Sequence, residues 1–141
     1  MRTNRAPSGE YTVVTMLAAE QSTSVLALSL VELDLLKLHA PVAETIPEFG
    51  VLGKEKDNLF HLLTHTNGVM PAIPPVASDG LMDIEKLLEF ACTRPLESQP
   101  GERANYSILV GRAIIASMCL SVDGRGQCYA QMLAEDVFAP L

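Results

Sequence analysis

VLALSLVELDLL, residues 25–36, places apolar side chains around far more than one stripe of a helix. A helix with this pattern requires burial on most of its sides, because apolar surface exposed to water is unfavourable. Ser22 and Ser24 are both candidates for its N-cap, and Pro41 prevents its continuation. The stretch therefore predicts a helix that other parts of the chain cover.

The rest of the chain also favours helices. A short helix can begin at Asp57 or Asn58, because either side chain can cap it. A second helix can begin at Ser78 or Asp79, and a third at Ser107. The apolar residues at helical spacing are Leu59, Phe60, Leu62 and Leu63, then Ile84, Leu87, Leu88 and Ala91, then Val110, Ala113, Ile114 and Met118, and finally Tyr129, Met132, Leu133 and Val137. The pattern predicts a mostly helical chain.

Proline, glycine and asparagine separate these helices. Asn67-Gly68 ends the first one with residues that tolerate positive φ. Residues 69–77 are too rich in proline for regular structure, and Pro95 ends the second helix. Residues 123–126 break the chain before the last helix, which Pro140 limits.

The N-terminal part of the chain carries weaker patterns. Residues 1–10 show no apolar period, which predicts a frayed terminus, and residues 11–14 favour a short strand. Pro7 and Glu10 interrupt the basic region that a secretory signal needs. We therefore expect a cytoplasmic protein rather than a secreted one.

Composition and charge exclude several classes of protein. A length of 141 residues suits one domain, and 48% hydrophobic against 19% charged residues predicts a folded chain. A net charge of −7 repels phosphate backbones and anionic lipid heads, so nucleic acid is not an expected partner. The longest apolar region contains Glu32, Asp34 and Lys37, so we expect no membrane-spanning helix.

Cysteines and histidines do not form a recognisable metal or redox motif. Cys92, Cys119 and Cys128 are widely spaced, without the C-x-x-C pair typical of zinc and redox sites. His61 and His65 have the four-residue spacing that lets two imidazoles bind one zinc ion. The sequence supplies neither the Glu of the zinc-protease motif nor a nearby third ligand. We therefore predict buried reduced thiols, structural histidines, and no metal or cofactor.

No serine in this sequence has the context of an activated nucleophile. There is no G-x-S-x-G, and no Ser is followed three residues later by Lys. Ser22 and Ser24 are better explained as helix caps. Tyr106 follows a Pro-Gly turn at the mouth of a predicted helix, where a phenol could act as a donor or base. A half-buried structural Tyr explains the same position.

Four segments, in order, resemble one family. HLLTHTNG at residues 61–68 is close to H-L-L-T-H-T-S-G, and LVELDLLKLHAPVAETIPEFG at residues 30–50 resembles L-V-x-x-G-x-L-x-L-D-x-P-V with a downstream L-P-E-F. PLESQPGERANYSIL at 95–109 resembles P-G-x-x-x-x-Y-S-N, and YAQMLAEDVFAPL at 129–141 resembles the end of a helical block. These motifs resemble the β-lactamase-related serine hydrolases, which include class C β-lactamases, penicillin-binding-protein-like esterases and fungal transesterases.

The resemblance implies an architecture. It predicts the helical part of the α+β β-lactamase/transpeptidase-like fold, lacking most of the antiparallel sheet. Residues 1–20 would be a poorly ordered or divergent segment, and residues 21–141 a partial β-lactamase-related domain. Helix faces that the sheet would cover predict self-association. Tyr106 corresponds to the family's Tyr, which helps to activate the nucleophile, and is the one predicted catalytic residue.

Departures from the family pattern concern the catalytic groups. The S-x-x-K motif falls on LAAE at residues 17–20 or on AEQS at residues 19–22, and neither contains both Ser and Lys. Ile108 stands where the family has the Asn that accompanies its Tyr. The family's K-T-G or H-x-G strand is expected beyond residue 141.

These departures predict a hydrolase-like or acyltransferase-like protein that is inactive as this chain. Its substrates, if any activity remains, would be small amide, ester or thioester acyl compounds. One alternative is a non-catalytic helical interaction module. Another is a fragment of a longer, active esterase or transesterase.

Overall fold

A computed structural model describes residues 9–69, 83–107 and 109–141, with side chains described from residue 20 onward. Its α-helices are α1 (Gly9–Glu32), α2 (Leu59–Leu63), α3 (Ile84–Cys92), α4 (Val110–Val122) and α5 (Tyr129–Met132). Two 3₁₀ turns, Val42–Glu44 and Pro47–Phe49, lie between α1 and α2, and a π-helical turn at Leu133–Phe138 continues α5.

The described residues contain no strand. Their one isolated β-bridge joins Pro41 to Asn58. The prediction of a mostly helical chain is therefore confirmed. The short strand predicted at residues 11–14 is wrong, because these residues belong to α1. Their β-branched and aromatic side chains favour strands only weakly, and the continuous helix overrides that preference.

α4 is the most enclosed helix of the described chain. It packs against α1, α2 and α3, which cover it from several directions. Val110, Ile114 and Met118 on this helix are almost fully buried, and so are the small residues Ala113 and Ala116. Small side chains let neighbouring helices approach closely, which explains how α4 can be covered on most sides.

From residue 20 onward, α1 is covered on one side, which differs from the prediction for residues 25–36. Leu26 and Leu30 belong to the core, whereas Val25 is 54% and Leu28 48% exposed. The exposed residues lie on one stripe of the helix, so the burial predicted for most of its surface is wrong. No helix in the described ranges is long and apolar enough to cross a bilayer.

Side-chain caps define the beginnings of α2 and α3. Asn58, one of two predicted caps, accepts a hydrogen bond from the backbone N–H of His61 at 3.0 Å. Asp83 caps α3 by accepting from the N–H groups of Glu85 and Lys86. The helix start predicted at Ser78 or Asp79 lies outside the described residues.

The predicted starts of α1 and α4 are also wrong. α1 begins at Gly9, and Ser24 lies inside it, where its hydroxyl donates to the carbonyl of Glu20 at 3.0 Å. α4 begins at Val110, so Ser107 lies too early to cap it. Ser24 bonds to a carbonyl inside its own helix, and sequence alone cannot distinguish this from capping. The predicted division between residues 1–20 and 21–141 falls within α1 and stays a prediction.

A left-handed residue ends α1. Asp34 has φ +58°, and its N–H donates to the carbonyl of Val31 at 3.0 Å. The N–H of Leu35 donates to the carbonyl of Leu30 at 2.9 Å. This pair of hydrogen bonds is the Schellman motif, whose left-handed position favours Gly because a Cβ is strained there. The family pattern has Gly at this position.

Asp34→Gly is expected to raise the free energy of unfolding by about 0.5–1 kcal/mol, because Gly removes the left-handed strain. Urea denaturation measures the change. Asp34→Ala is the matched control, since it also removes the carboxylate but keeps a Cβ. Equal stabilisation by both variants would show that the carboxylate, and not the backbone, is the source of strain.

Candidate functional site

Backbone hydrogen bonds hold the HLLTHTNG segment against residues 97–105. The N–H of Asn105 donates to the carbonyl of His65, and the N–H of Gly101 donates to that of Thr66, both at 2.7 Å. The N–H of Glu97 donates to the carbonyl of Gly68 at 2.9 Å. These bonds fix the loop that precedes Tyr106, so they determine where its phenol lies.

Gly68 allows this close approach. It has φ +72°, and a Cβ at this position would lie 2.1 Å from the carbonyl oxygen of Ser98. No side chain fits at that distance, so the loop requires glycine. Asn67, next to it, is buried, and its Oδ1 accepts from the N–H of Val69 at 3.1 Å. The predicted Asn67-Gly68 turn is thus a tightly packed joint.

Tyr106, the predicted catalytic residue, lies beside α1. Its hydroxyl donates a hydrogen bond to Oε2 of Glu20. The ring of His65 packs edge-on against the Tyr106 ring, with 4.7 Å between centroids. Nε2 of His65 lies 3.9 Å from Oε1 of Glu20. The site therefore brings together a carboxylate, a phenol and an imidazole from three separate parts of the chain.

The partner of Tyr106 distinguishes the two possible registers of the S-x-x-K motif. In the first register, residues 17–20, Glu20 stands at the Lys position. In the second, residues 19–22, Ser22 does. The resemblance implies that the family's Tyr acts together with its Ser and Lys, and on that implication the contact between Glu20 and Tyr106 favours the first register. Sequence reasoning named Glu20 only as a residue that is not Lys, and it missed its role as the partner of Tyr106.

Glu20 makes Tyr106 a weaker acid. The hydrogen bond to the carboxylate is the main cause, and it raises the pKa of Tyr106 to about 12; burial and repulsion by the same charge add to it. A phenolate here would lose its hydrogen bond and lie beside a negative charge. Tyr106 therefore loses its proton less readily than an ordinary tyrosine, and in its protonated form it donates a hydrogen bond to Glu20.

An open cavity of about 550 Å³ adjoins Tyr106. Glu20, Gln21, Ser24, His65 and Tyr106 line it. Tyr106 is 38% exposed and the side chain of Glu20 is 16% exposed, so both can be reached from solvent. This volume is typical of sites for small molecules.

His61 and His65 have different surroundings, although both lie in HLLTHTNG. His65 contacts Tyr106 and Glu20, whereas Nδ1 of His61 lies 3.3 Å from Oδ1 of Asp57. Within the described ranges, no group of three or more His, Cys, Asp or Glu could hold a metal ion. The two histidines therefore contact different parts of the structure, His61 near the start of α2 and His65 beside Tyr106.

Two charged residues are fully buried, and their burial was not predicted from the sequence. Lys54 is fully buried, and its Nζ donates to the carbonyls of Arg94 at 2.5 Å and Cys92 at 3.3 Å, at the end of α3. Burial lowers the pKa of Lys54. Asp57 is also fully buried, and burial raises the pKa of its carboxyl to about 7. Both residues occur in a charged stretch of the kind that usually lies on the surface, and nothing in its pattern indicates that they are buried.

Known proteins share this fold. The family model described as Beta-lactamase matches residues 22–141. The crystal structure of a family VIII carboxylesterase is similar with a TM-score of 0.78 and 27% identity, over 86% of this chain and 33% of that chain. A novel penicillin-binding protein homolog from Caulobacter crescentus has a TM-score of 0.72 at 20% identity, over 87% of this chain and 33% of that chain. The chain thus spans 33% of the length of each structure. No curated protein matches it.

Asp57 makes the stability of the protein depend on pH. Its folded pKa of about 7 lies above the ordinary value of 3.8, so the native state binds the proton more tightly than the unfolded state does. This contribution to stability is complete below the ordinary value and is lost as pH rises through the folded value. Asp57→Asn should therefore gain stability over the wild type as pH rises, by at most about 4 kcal/mol.

Denaturant titrations between about pH 4 and pH 8 measure this difference. Asp136→Asn is the control of opposite sign, because the hydrogen bond from Arg125 lowers the pKa of Asp136. Its removal should cost stability at neutral pH and less in acid. A difference between Asp57→Asn and the wild type that does not change with pH would contradict the burial of an ionisable group at this position.

Glu20→Gln is expected to lower the pKa of Tyr106 towards its ordinary value of 10, because it removes the acceptor charge that holds the phenol protonated. Ultraviolet titration of tyrosinate, with Tyr106→Phe subtracted, measures the change. Glu32→Gln is the control, since Glu32 lies exposed at the other end of α1. An equal effect of the two variants would mean that Glu20 acts only through the net charge.

Proposed function

The chain belongs to the beta-lactamase family, and on that premise we propose that it carries the family's fold without its covalent catalysis. The ligands that fit the proposal are small acyl compounds, namely amides, esters or thioesters. The solved family VIII carboxylesterase is described as an esterase, and this supports esters as the first class to test. The proposed protein binds such compounds without forming an acyl-enzyme.

The observation that carries the proposal is the contact between Glu20 and Tyr106. A serine hydroxyl is a weak nucleophile until a nearby base takes its proton, and the family uses a Lys and a Tyr for this. In the first register, Leu17 stands at the nucleophile position and Glu20 at the Lys position. Neither a nucleophile nor an amine is supplied there.

The electrostatics at Tyr106 support the same conclusion. A positive Lys beside a phenol favours the phenolate, whereas the carboxylate of Glu20 opposes it. With a pKa of about 12, Tyr106 is almost entirely protonated near neutral pH. Catalytic groups of this kind act as a unit, so the loss of two members removes most of the rate enhancement.

A non-catalytic interaction module is the second candidate. The exposed stripe on α1, which includes Val25 and Leu28, favours it, because exposed apolar patches are typical of interfaces. A third possibility, carried over from the sequence, is that these residues form part of a longer active esterase or transesterase. This chain covers 33% of each solved structure, which is consistent with that possibility.

Turnover and covalent labelling test the proposal together. Nitrocefin and p-nitrophenyl acetate should show no turnover above that of Tyr106→Phe, and a fluorophosphonate probe should leave no stoichiometric adduct by mass spectrometry. An active family VIII carboxylesterase is the positive control. An adduct on any single serine, or turnover that disappears in Tyr106→Phe, would overturn the proposal. Absence of turnover together with stable dimers in sedimentation would favour the interaction module.

A further inference from the structure

We propose that the cavity beside Tyr106 binds a small primary alkylammonium ion, with the carboxylate of Glu20 as its counter-ion. The inference rests on the proposed function, because it takes Glu20 to stand where the family has an amine. A site that has exchanged an amine for a carboxylate has reversed the charge that it presents to a ligand. The charge that this cavity favours in a ligand should therefore be positive, whether that charge belongs to a free amine or to an acyl compound that carries one.

Glu20 has the acceptor capacity that an ammonium ion needs. Its Oε2 accepts from Tyr106, and its Oε1 lies 3.9 Å from Nε2 of His65, which is too far for a hydrogen bond. An ionised carboxylate has about four acceptor sites, so one hydrogen bond does not saturate it. A bound ammonium can donate to Oε1 while Tyr106 continues to hold Oε2.

The charges around the cavity also favour a cation. Among the described residues, those that line it include no Lys or Arg that could compete for Glu20. The phenol of Tyr106 remains protonated and keeps the carboxylate in place without neutralising it. The net charge of −7 adds a general attraction for cations and repels anions.

The aromatic rings suit the alkyl part of such a ligand. Tyr106 and His65 both line the cavity, so their rings are available there for apolar contact. The face of a tyrosine ring also attracts ammonium groups. A cavity of about 550 Å³ has room for a chain of a few carbon atoms. Charge and shape together select an amine with a short alkyl group.

Three four-carbon probes of different charge test the inference: n-butylammonium, 1-butanol and butanoate. Amide and imidazole NMR shifts of the full chain, titrated with each probe, report binding. Saturable shifts at His65 and Tyr106 are expected with n-butylammonium, and affinity at least about tenfold weaker with the other two. Glu20→Gln should weaken n-butylammonium binding by about tenfold or more, whereas Glu32→Gln on the same helix should leave it unchanged.

Salt dependence of the wild type gives a test that needs no variant. Binding of n-butylammonium should weaken as ionic strength rises, because a partly exposed ion pair is screened. Equal binding of 1-butanol, absence of saturable shifts, or binding that is insensitive to both salt and Glu20→Gln would each overturn the inference. Labelling of the same sample with the fluorophosphonate probe separates the two proposals: an adduct contradicts the loss of catalysis, whether or not n-butylammonium binds.

Discussion

The structure depends on how closely two segments of backbone approach each other at Gly68. A Cβ there would lie 2.1 Å from the carbonyl oxygen of Ser98, so only glycine permits the contact. The hydrogen bonds on either side of Gly68 then hold residues 97–105 in one position. Tyr106 follows immediately, and its place against α1 is a consequence of this joint. Backbone packing at Gly68 therefore determines the position of Tyr106, and the side-chain contacts of the site depend on that position.

Local sequence patterns predicted where the helices lie better than they predicted which helix faces other parts of the chain bury. The spacing of apolar residues indicated α3, α4 and the last helix, and Asn58 was among the predicted caps. The same pattern predicted burial around most of residues 25–36, but half of Val25 and Leu28 is exposed. Periodicity shows which side chains are apolar and does not show which neighbours are present to cover them. The helix ends were similarly uncertain, because serines bond to nearby carbonyls inside helices as readily as they cap them.

Of the two residues in contact at the candidate site, Tyr106 was predicted and Glu20 was not, because a sequence pattern does not show which distant residues meet. Tyr106 could be found because it lies in a recognisable segment after a Pro-Gly turn. Its partner, Glu20, is 86 residues away along the chain, so no local spacing could connect them. The burial of Lys54 and Asp57 was not predicted, because charged residues in a short loop are usually exposed. Their burial follows from the packing of that loop against the end of α3, which requires the three-dimensional arrangement.

The segment by which the chain resembles its family is structural in this protein. In HLLTHTNG, Asn67 and Gly68 form the packed joint, His65 supports the ring of Tyr106, and the N–H of His61 is held by the Asn58 cap. None of these contacts involves transfer of an acyl group. The fold of this segment can therefore persist on these interactions, whichever groups surround the phenol of Tyr106. Resemblance in this segment indicates the fold, and the groups around the phenol determine what the site can do.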